Sequence, residues 1–199
     1  MNDVDRLLRT RFSPRAFDAR PIADSTLASL FEAARWAPSC YNDQPWHFVL
    51  TRHGSAAHAA LLATLAAGNQ AWAATAPILL LCVARERFAH DHTPNRHAWY
   101  DLGQAMGSLL VCASAHGLHA HQMAGFDAAQ AARALALPPA HAAVAVCALG
   151  YLGDPARLPA GVSEKDAHAR TRRPLAEFTF EARWQGSWPA PGAPRTGAS

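Results

Sequence analysis

A mixed domain of the α/β or α+β class is predicted by three features of the 199-residue chain. Helical and strand-like patterns alternate along it. Two apolar runs, Pro77 to Val83 and Ala143 to Leu152, are bounded by breakers and read as strands covered on both faces. Hydrophobic residues make up 50% of the chain against 17% charged, enough apolar surface to offset the entropy of ordering it. The length suits one domain with a core of its own, spanning residues 1–183, and residues 184–199 read as an extended or disordered tail rich in Pro, Gly, Ala and Ser.

Taken in order, Asp3 to Arg11 predicts a short helix stopped before Pro14, and Phe17 to Pro21 a loop. Asp24 or Ser25 caps a second helix, with Leu27, Leu30, Phe31 and Ala34 on one stripe, that must end near Pro38. Trp46 to Leu50 has strand character, Ala56 to Ala67 is helical, and Gly68-Asn69 signals a turn. A polar, histidine-rich excursion from Arg85 to Ala98 separates the first buried strand from a long helix, Trp99 to His116, which Gly117 terminates. Gly103 and Gly107 on that helix predict a closely packed helix neighbour. Leu118 to Met123 is a strand, and Asp127 with Gln130 forms a capping pair for a helix ended by Pro138-Pro139. Alternation at Ala176, Phe178 and Phe180 predicts a late strand.

Several function classes are disfavoured. No apolar stretch reaches the roughly 20 residues of a membrane span, and Met1 to Arg11 lacks a signal-peptide core, so the expectation is a cytoplasmic protein without a membrane partner. Cys40, Cys82, Cys112 and Cys147 lie far apart in apolar or small-residue company and read as reduced core thiols. A net charge of +3, almost wholly arginine since Lys165 is the only lysine, is too mild to argue for nucleic acid. The nucleotide, phosphate-loop, hydrolase-elbow and zinc-helix motifs are missing. His90, His92 and His97, and His116, His119 and His121, offer no converging three-ligand set, so no metal is expected. Trp72, Trp99 and Tyr100 read as core aromatics, whereas Trp184 and Trp188 suit an interface.

Two patterns carry chemistry. Arg11-Phe12-Ser13-Pro14-Arg15 and Arg170-Thr171-Arg172-Arg173 gather guanidinium forks and hydroxyls suited to a phosphate monoester, or simply form a solvated basic face. Pro38 to Trp46 ends a helix and then offers Ser39, Asn42 and Gln44 before a strand, a loop able to hydrogen-bond an amide-rich heterocycle.

With these residues the chain resembles the FMN-dependent nitroreductases. The resemblance rests on Arg11-x-Ser13-x-Arg15, on Glu32-Ala33-Ala34-Arg35-Trp36-Ala37-Pro38-Ser39 with Asn42-x-Gln44-Pro45-Trp46, on Asp101-x-Gly103, on Gly117-Leu118 and on Gly125-Phe126-Asp127. It implies an α+β fold with a mixed or antiparallel central sheet flanked by helices, in an intertwined homodimer whose C-terminal extension wraps the partner. It further implies that Arg11, Ser13 and Arg15 hold the phosphate and pyrimidine side of FMN, with Arg172 or Arg173 closing on the phosphate. Pro38, Ser39, Cys40, Asn42 and Gln44 would face a flavin bound mainly by the other subunit. Asn69 would make a polar contact, with Gln70 beside it a weaker candidate, and Met123, Ala124 and Gly125 would run along the ring edge. The chemistry belongs to FMN, so no catalytic side chain is implied.

The implied activity is transfer of hydride from NADH or NADPH, in a ping-pong cycle, to a nitroaromatic, quinone or similar planar acceptor. Dehalogenation, enone reduction, flavin breakdown or non-catalytic flavin binding are the alternatives. Three departures from the family pattern stand out. Phe12 replaces a common arginine, Ala124 a frequent glycine, and the lysine some relatives place near the flavin has no counterpart.

Overall fold

The computed structural model describes residues 2–163 and 170–188. The chain divides into two compact units, Met1–Lys165 and Asp166–Ser199.

In the first unit a single antiparallel sheet is built around β5 (His141–Leu152). One edge of β5 carries β4 (Leu118–Met123), and the other carries β3 (Ile78–Arg85), which in turn pairs with β2 (Trp46–Arg52). The two-residue β1 (Phe17–Asp18) pairs with Leu152 and Tyr151. Because Tyr151 is matched with both Asp18 and Leu118, β1 extends the β3 edge rather than the β4 edge. Every ladder is antiparallel, which settles the class as α+β.

β3 explains why its sequence is an unbroken apolar run. Ile78, Leu80, Cys82 and Ala84 point into a core shared with α2 (Asp24–Arg35) and α5 (Ala98–Ala115). Leu79, Leu81 and Val83 point into a second core with α3 (Ala56–Ala63), α4 (Ala67–Ala73) and α6 (Ala128–Ala134). Each fully buried leucine here contributes about 1.5–3 kcal/mol of transfer free energy. α1 (Asp3–Thr10) opens with a capping box between Asn2 and Asp5 and buries none of its residues.

Several elements differ from expectation, each for a local reason. The helix expected from Ala56 to Ala67 stops at Ala63, where Thr64 Oγ1 donates to the Leu61 carbonyl at 2.7 Å and closes the last turn. Gly68-Asn69 is no turn but the first turn of α4, held open by Gln70 Nε2 donating to the Leu65 carbonyl at 2.6 Å. α2 is capped by Ala23 with no side-chain bond, and Asp24 instead pairs with Arg52. Asp127 does cap α6 by accepting from the Gln130 N–H at 2.8 Å. Part of the segment read as a loop after Phe17 is strand β1.

Trp72 is core as expected, but Trp99 and Tyr100 are 54% and 70% exposed. A Cβ added at Gly103 or Gly107 would meet nothing within 4 Å, so among the described residues no helix packs against that stripe. All four cysteines are free, but only Cys82 and Cys147 are buried, with Cys40 and Cys112 half-exposed. No described helix is long and apolar enough to cross a membrane.

In the second unit the expected strand Ala176 to Phe180 is replaced by a 3-10 turn over Leu175–Glu177. Pro174 fixes its entry, and the Leu175 carbonyl accepts both the Thr179 N–H at 2.9 Å and the Thr179 hydroxyl at 2.6 Å. The period-2 alternation was real, but local turn bonds satisfy this backbone instead. Lys165 and residues 189–199 of the expected tail lie outside the described residues.

Candidate functional site

The residues expected to hold a cofactor fall into two groups. The first starts where α1 ends: the Arg11 N–H donates to the Leu7 carbonyl at 3.0 Å, and Arg11 Nη1 reaches Ser13 Oγ at 3.4 Å. Pro14 is buried, and its carbonyl accepts from His121 Nδ1 of β4 at 2.8 Å, while Phe12 meets His119 edge to face at 4.9 Å. Arg15 Nη1 donates to the Ser163 carbonyl at 3.1 Å. The strand histidines thus dock the 11–15 loop beside β4, presenting two guanidinium groups and a hydroxyl on one short segment.

β4 then leads out of the sheet through buried Met123 into exposed Ala124 and Gly125. The Gly125 carbonyl accepts from the Ala66 N–H at 2.9 Å and from Asn69 Nδ2 at 3.2 Å. The Asp127 N–H donates to the Thr64 carbonyl at 2.8 Å, so the β4–α6 connection is laced along the α3–α4 junction. A Cβ on Gly125 would stand 3.1 Å from Asn69 Nδ2, closer than most side chains tolerate. Among the described residues the N–H groups of Ala124 and Gly125 meet no acceptor. Guanidinium forks, an amide and N–H donors without an acceptor among the described residues are the kinds of donor a flavin mononucleotide can use, so these residues fit that group.

The second group is the loop between α2 and β2. Its backbone is strained: Tyr41, Asn42 and Gln44 have φ of 54°, 55° and 49° without being glycine. Two acids hold it there. Buried Asp101, on the first turn of α5, accepts the Cys40 N–H through Oδ2 at 3.1 Å, and Gln104 Nε2 reaches the Pro38 carbonyl at 3.4 Å. Ser39 Oγ accepts the Gln44 N–H at 3.0 Å. Asp43, its side chain 3% exposed, accepts from Arg85 Nη2 at 3.0 Å, from the Ala89 N–H at 2.8 Å and from Asn95 Nδ2 at 3.2 Å. Burial pushes the Asp43 carboxyl up, but the Ala89 N–H, the Arg85 guanidinium and the Asn95 amide together bring it below its ordinary range.

Asn69 and Gly125 are therefore in direct contact, and the arginine loop is joined to them through β4. No hydrogen bond among the described residues links the 38–44 loop to either. Arg172 lies in the second unit, where its Nη1 donates to the Thr171 carbonyl at 2.7 Å. Sequence reasoning missed Asp43, Arg85 and Asn95, whose pairings span 42 and 52 positions and leave no local pattern. It also missed His121 as the brace of Pro14, and it placed Asp101 in a motif without assigning it the Cys40 contact.

The sequence model of the nitroreductase family matches residues 8–151. A solved structure described as an oxidoreductase containing FMN superimposes with a TM-score of 0.83 over 94% of this chain and 95% of that one, at 35% identity. A Desulfovibrio desulfuricans protein solved in complex with FMN gives a TM-score of 0.72 over 92% and 99% of the two chains, at 26% identity. An NADH dehydrogenase of Thermus thermophilus is 31% identical over 174 residues, 71% of this chain and 82% of its own length. On the family match and the fold together, the chain belongs to the nitroreductase family.

Proposed function

We propose that the protein is a cytoplasmic, homodimeric FMN-dependent oxidoreductase that takes electrons from NADH or NADPH and reduces nitroaromatic, quinone or similar planar acceptors in a ping-pong cycle. The observation that carries this reading is the Asn69–Gly125 contact, made two residues past the end of the strand that docks the Arg11–Arg15 loop. Resemblance to proteins described as containing FMN, and to one named an NADH dehydrogenase, supports the cofactor and the donor.

When bound, FMN supplies hydride acceptance and donation at its ring. In this reading Arg11, Ser13 and Arg15 bind the phosphate and pyrimidine side, and the positive charge of the two arginines favours the reduced, more negative ring. Met123, Ala124 and Gly125 run along the ring edge, which Asn69 and the N–H groups of Ala124 and Gly125 orient. Arg172 is the further phosphate ligand that the family resemblance implies. Pro38, Ser39, Cys40, Asn42 and Gln44 cover the flavin of the partner subunit.

Dimerisation is supported by apolar surface left uncovered on one chain. Val4, Leu8, Tyr41, Trp99 and Tyr100 are all more than half exposed, and Gly103 and Gly107 leave room for close approach.

The test is the visible spectrum of the purified protein, before and after NADH or NADPH is added without oxygen, with the mass measured in solution. Bound-flavin bands bleached by either nucleotide, on a particle of twice the chain mass, are expected. A colourless protein that refuses added FMN would overturn the reading.

A further inference from the structure

A second polar constellation lies at the end of the sheet, among residues that the flavin reading leaves unused. Pro45-Trp46-His47 opens β2 and Pro139-Ala140-His141 opens β5, so the same Pro-x-His spacing occurs at the start of two strands. In each, the histidine Nδ1 bonds the carbonyl of the proline two residues before it, at 3.2 Å for His47 and 3.0 Å for His141. A carbonyl only accepts, so both Nδ1 atoms carry hydrogen, and in the neutral ring both Nε2 atoms keep a lone pair.

The strand register brings the two rings together. His47 is matched with Val83 on one side of β3, while Ala143 is matched with Val83 and His141 with Arg85 on the other. Residues two apart share a face, so His47, Arg85 and His141 project from the same side of the sheet. The rings meet at 74° with centroids 5.1 Å apart.

That spacing matches a shared ion as well as it matches edge-to-face packing. An imidazole bound through Nε2 at about 2.0–2.1 Å has its centroid about 3.2 Å from the metal, and two such rings at a tetrahedral angle stand about 5.2 Å apart. A backbone carbonyl on Nδ1–H is the usual support that fixes the ring of a metal-bound histidine. Arg85 is the nearby cation that would oppose an ion, and Asp43 neutralises it at 3.0 Å. His47 is exposed and His141 half-exposed, so an ion with remaining water ligands can enter.

We propose that His47 and His141 form a two-histidine site for a borderline divalent transition metal of the Zn2+, Ni2+ or Cu2+ type. The site bridges the starts of β2 and β5 across β3 and holds independently of whether the protein binds a flavin.

The experiment titrates Cu2+ into the full chain, free of any histidine tag, and records the electron paramagnetic resonance spectrum. Zn2+ is then added as competitor. The expected result is one tight equivalent of Cu2+ with two-nitrogen coupling, displaced by Zn2+ and weakened at least about tenfold in both His47→Gln and His141→Gln. Thermal melting of each variant without metal checks that the fold is intact. Wild-type protein that takes up no tight equivalent overturns the proposal. So does a double variant that binds Cu2+ as tightly as wild type, which would place the ion on other histidines and reduce the pair to edge-to-face packing.

Discussion

The 11–15 loop with its Asn69–Gly125 neighbour and the 38–44 loop are both irregular segments at the edge of the same sheet, yet they are held by different means. The first is fixed mainly by backbone groups and neutral side chains: carbonyls of Pro14 and Gly125 accept from a histidine and an amide. Its two guanidinium groups also bond within the chain, Arg11 to the Ser13 hydroxyl and Arg15 to the Ser163 carbonyl. The second adopts unfavourable φ values at three residues and is restrained by buried carboxylates, Asp43 and Asp101. Left-handed backbone costs of order 1–3 kcal/mol at each such residue, so strong bonds have to over-determine it. Losing a contact in the first region should therefore cost ligand affinity, and in the second it should cost the fold.

The largest effect is expected from Asp43→Ala. It leaves the guanidinium of Arg85 beside three lost bonds in a largely buried site, and breaking such a pair costs about 3 kcal/mol. Denaturant unfolding should show that loss, and at about 2–4 °C per kcal/mol the melting temperature should fall by roughly 6–12 °C. The Asp43 carboxyl is held below its ordinary 3.8 when folded. Its contribution is thus complete above that value and disappears as pH falls through the lowered pKa, so the gap between wild type and Asp43→Asn should stay constant at neutral pH and close only in strong acid. A gap that closed near pH 6 would contradict the assignment.

Arg15→Ala should act in the opposite way. A charge-assisted bond to a phosphate contributes about 2 kcal/mol, so FMN affinity measured by flavin fluorescence should fall about 30-fold. The melting temperature of the flavin-free protein should move far less than in Asp43→Ala. Gly125→Ala should be milder, because the added methyl meets Asn69 Nδ2 at 3.1 Å and displaces it by only a few tenths of an ångström. A loss of about 1 kcal/mol in FMN binding, near fivefold, is expected. If either variant unfolded the protein instead, the contrast between the two regions would fail.

The same division decides what could be read before the fold was known. Strands β3 and β5 and helix α5 are legible because their patterns are long and bounded by breakers. The candidate cofactor residues are read from contiguous motifs and, for Asn69, from a single matched position, and the Asn69–Gly125 contact shows only that two of these candidates meet. Arg85 and Asn95 left no trace, because a buried acid chooses its partners across the fold, 42 and 52 positions away. The late strand failed for the converse reason: its alternation was visible, while the turn bonds that close on the Leu175 carbonyl were not. The α3–α4 break failed because a threonine hydroxyl and a glutamine amide, both unremarkable in a helix, are what end one helix and start the next.

The smallest effect is expected where a carboxylate shows the deepest shift. Glu32 is held down to about 2 by the Arg35 guanidinium, at 2.6 Å, and by the Trp36 indole N–H. Its folded pKa is depressed, so any contribution would be complete above the ordinary 4.5 and lost as pH falls through about 2. Yet the pair is exposed, with both side chains more than half accessible, and water and salt screen such pairs almost completely. Glu32→Gln should leave the unfolding midpoint unchanged between pH 4 and 8, while freeing the Trp36 ring and altering its fluorescence. A clear loss of stability would show that this surface is covered in solution, and would move Glu32 from the exposed class to that of Asp43. If that loss vanished on dilution to monomer, the cover would be a second copy of the chain.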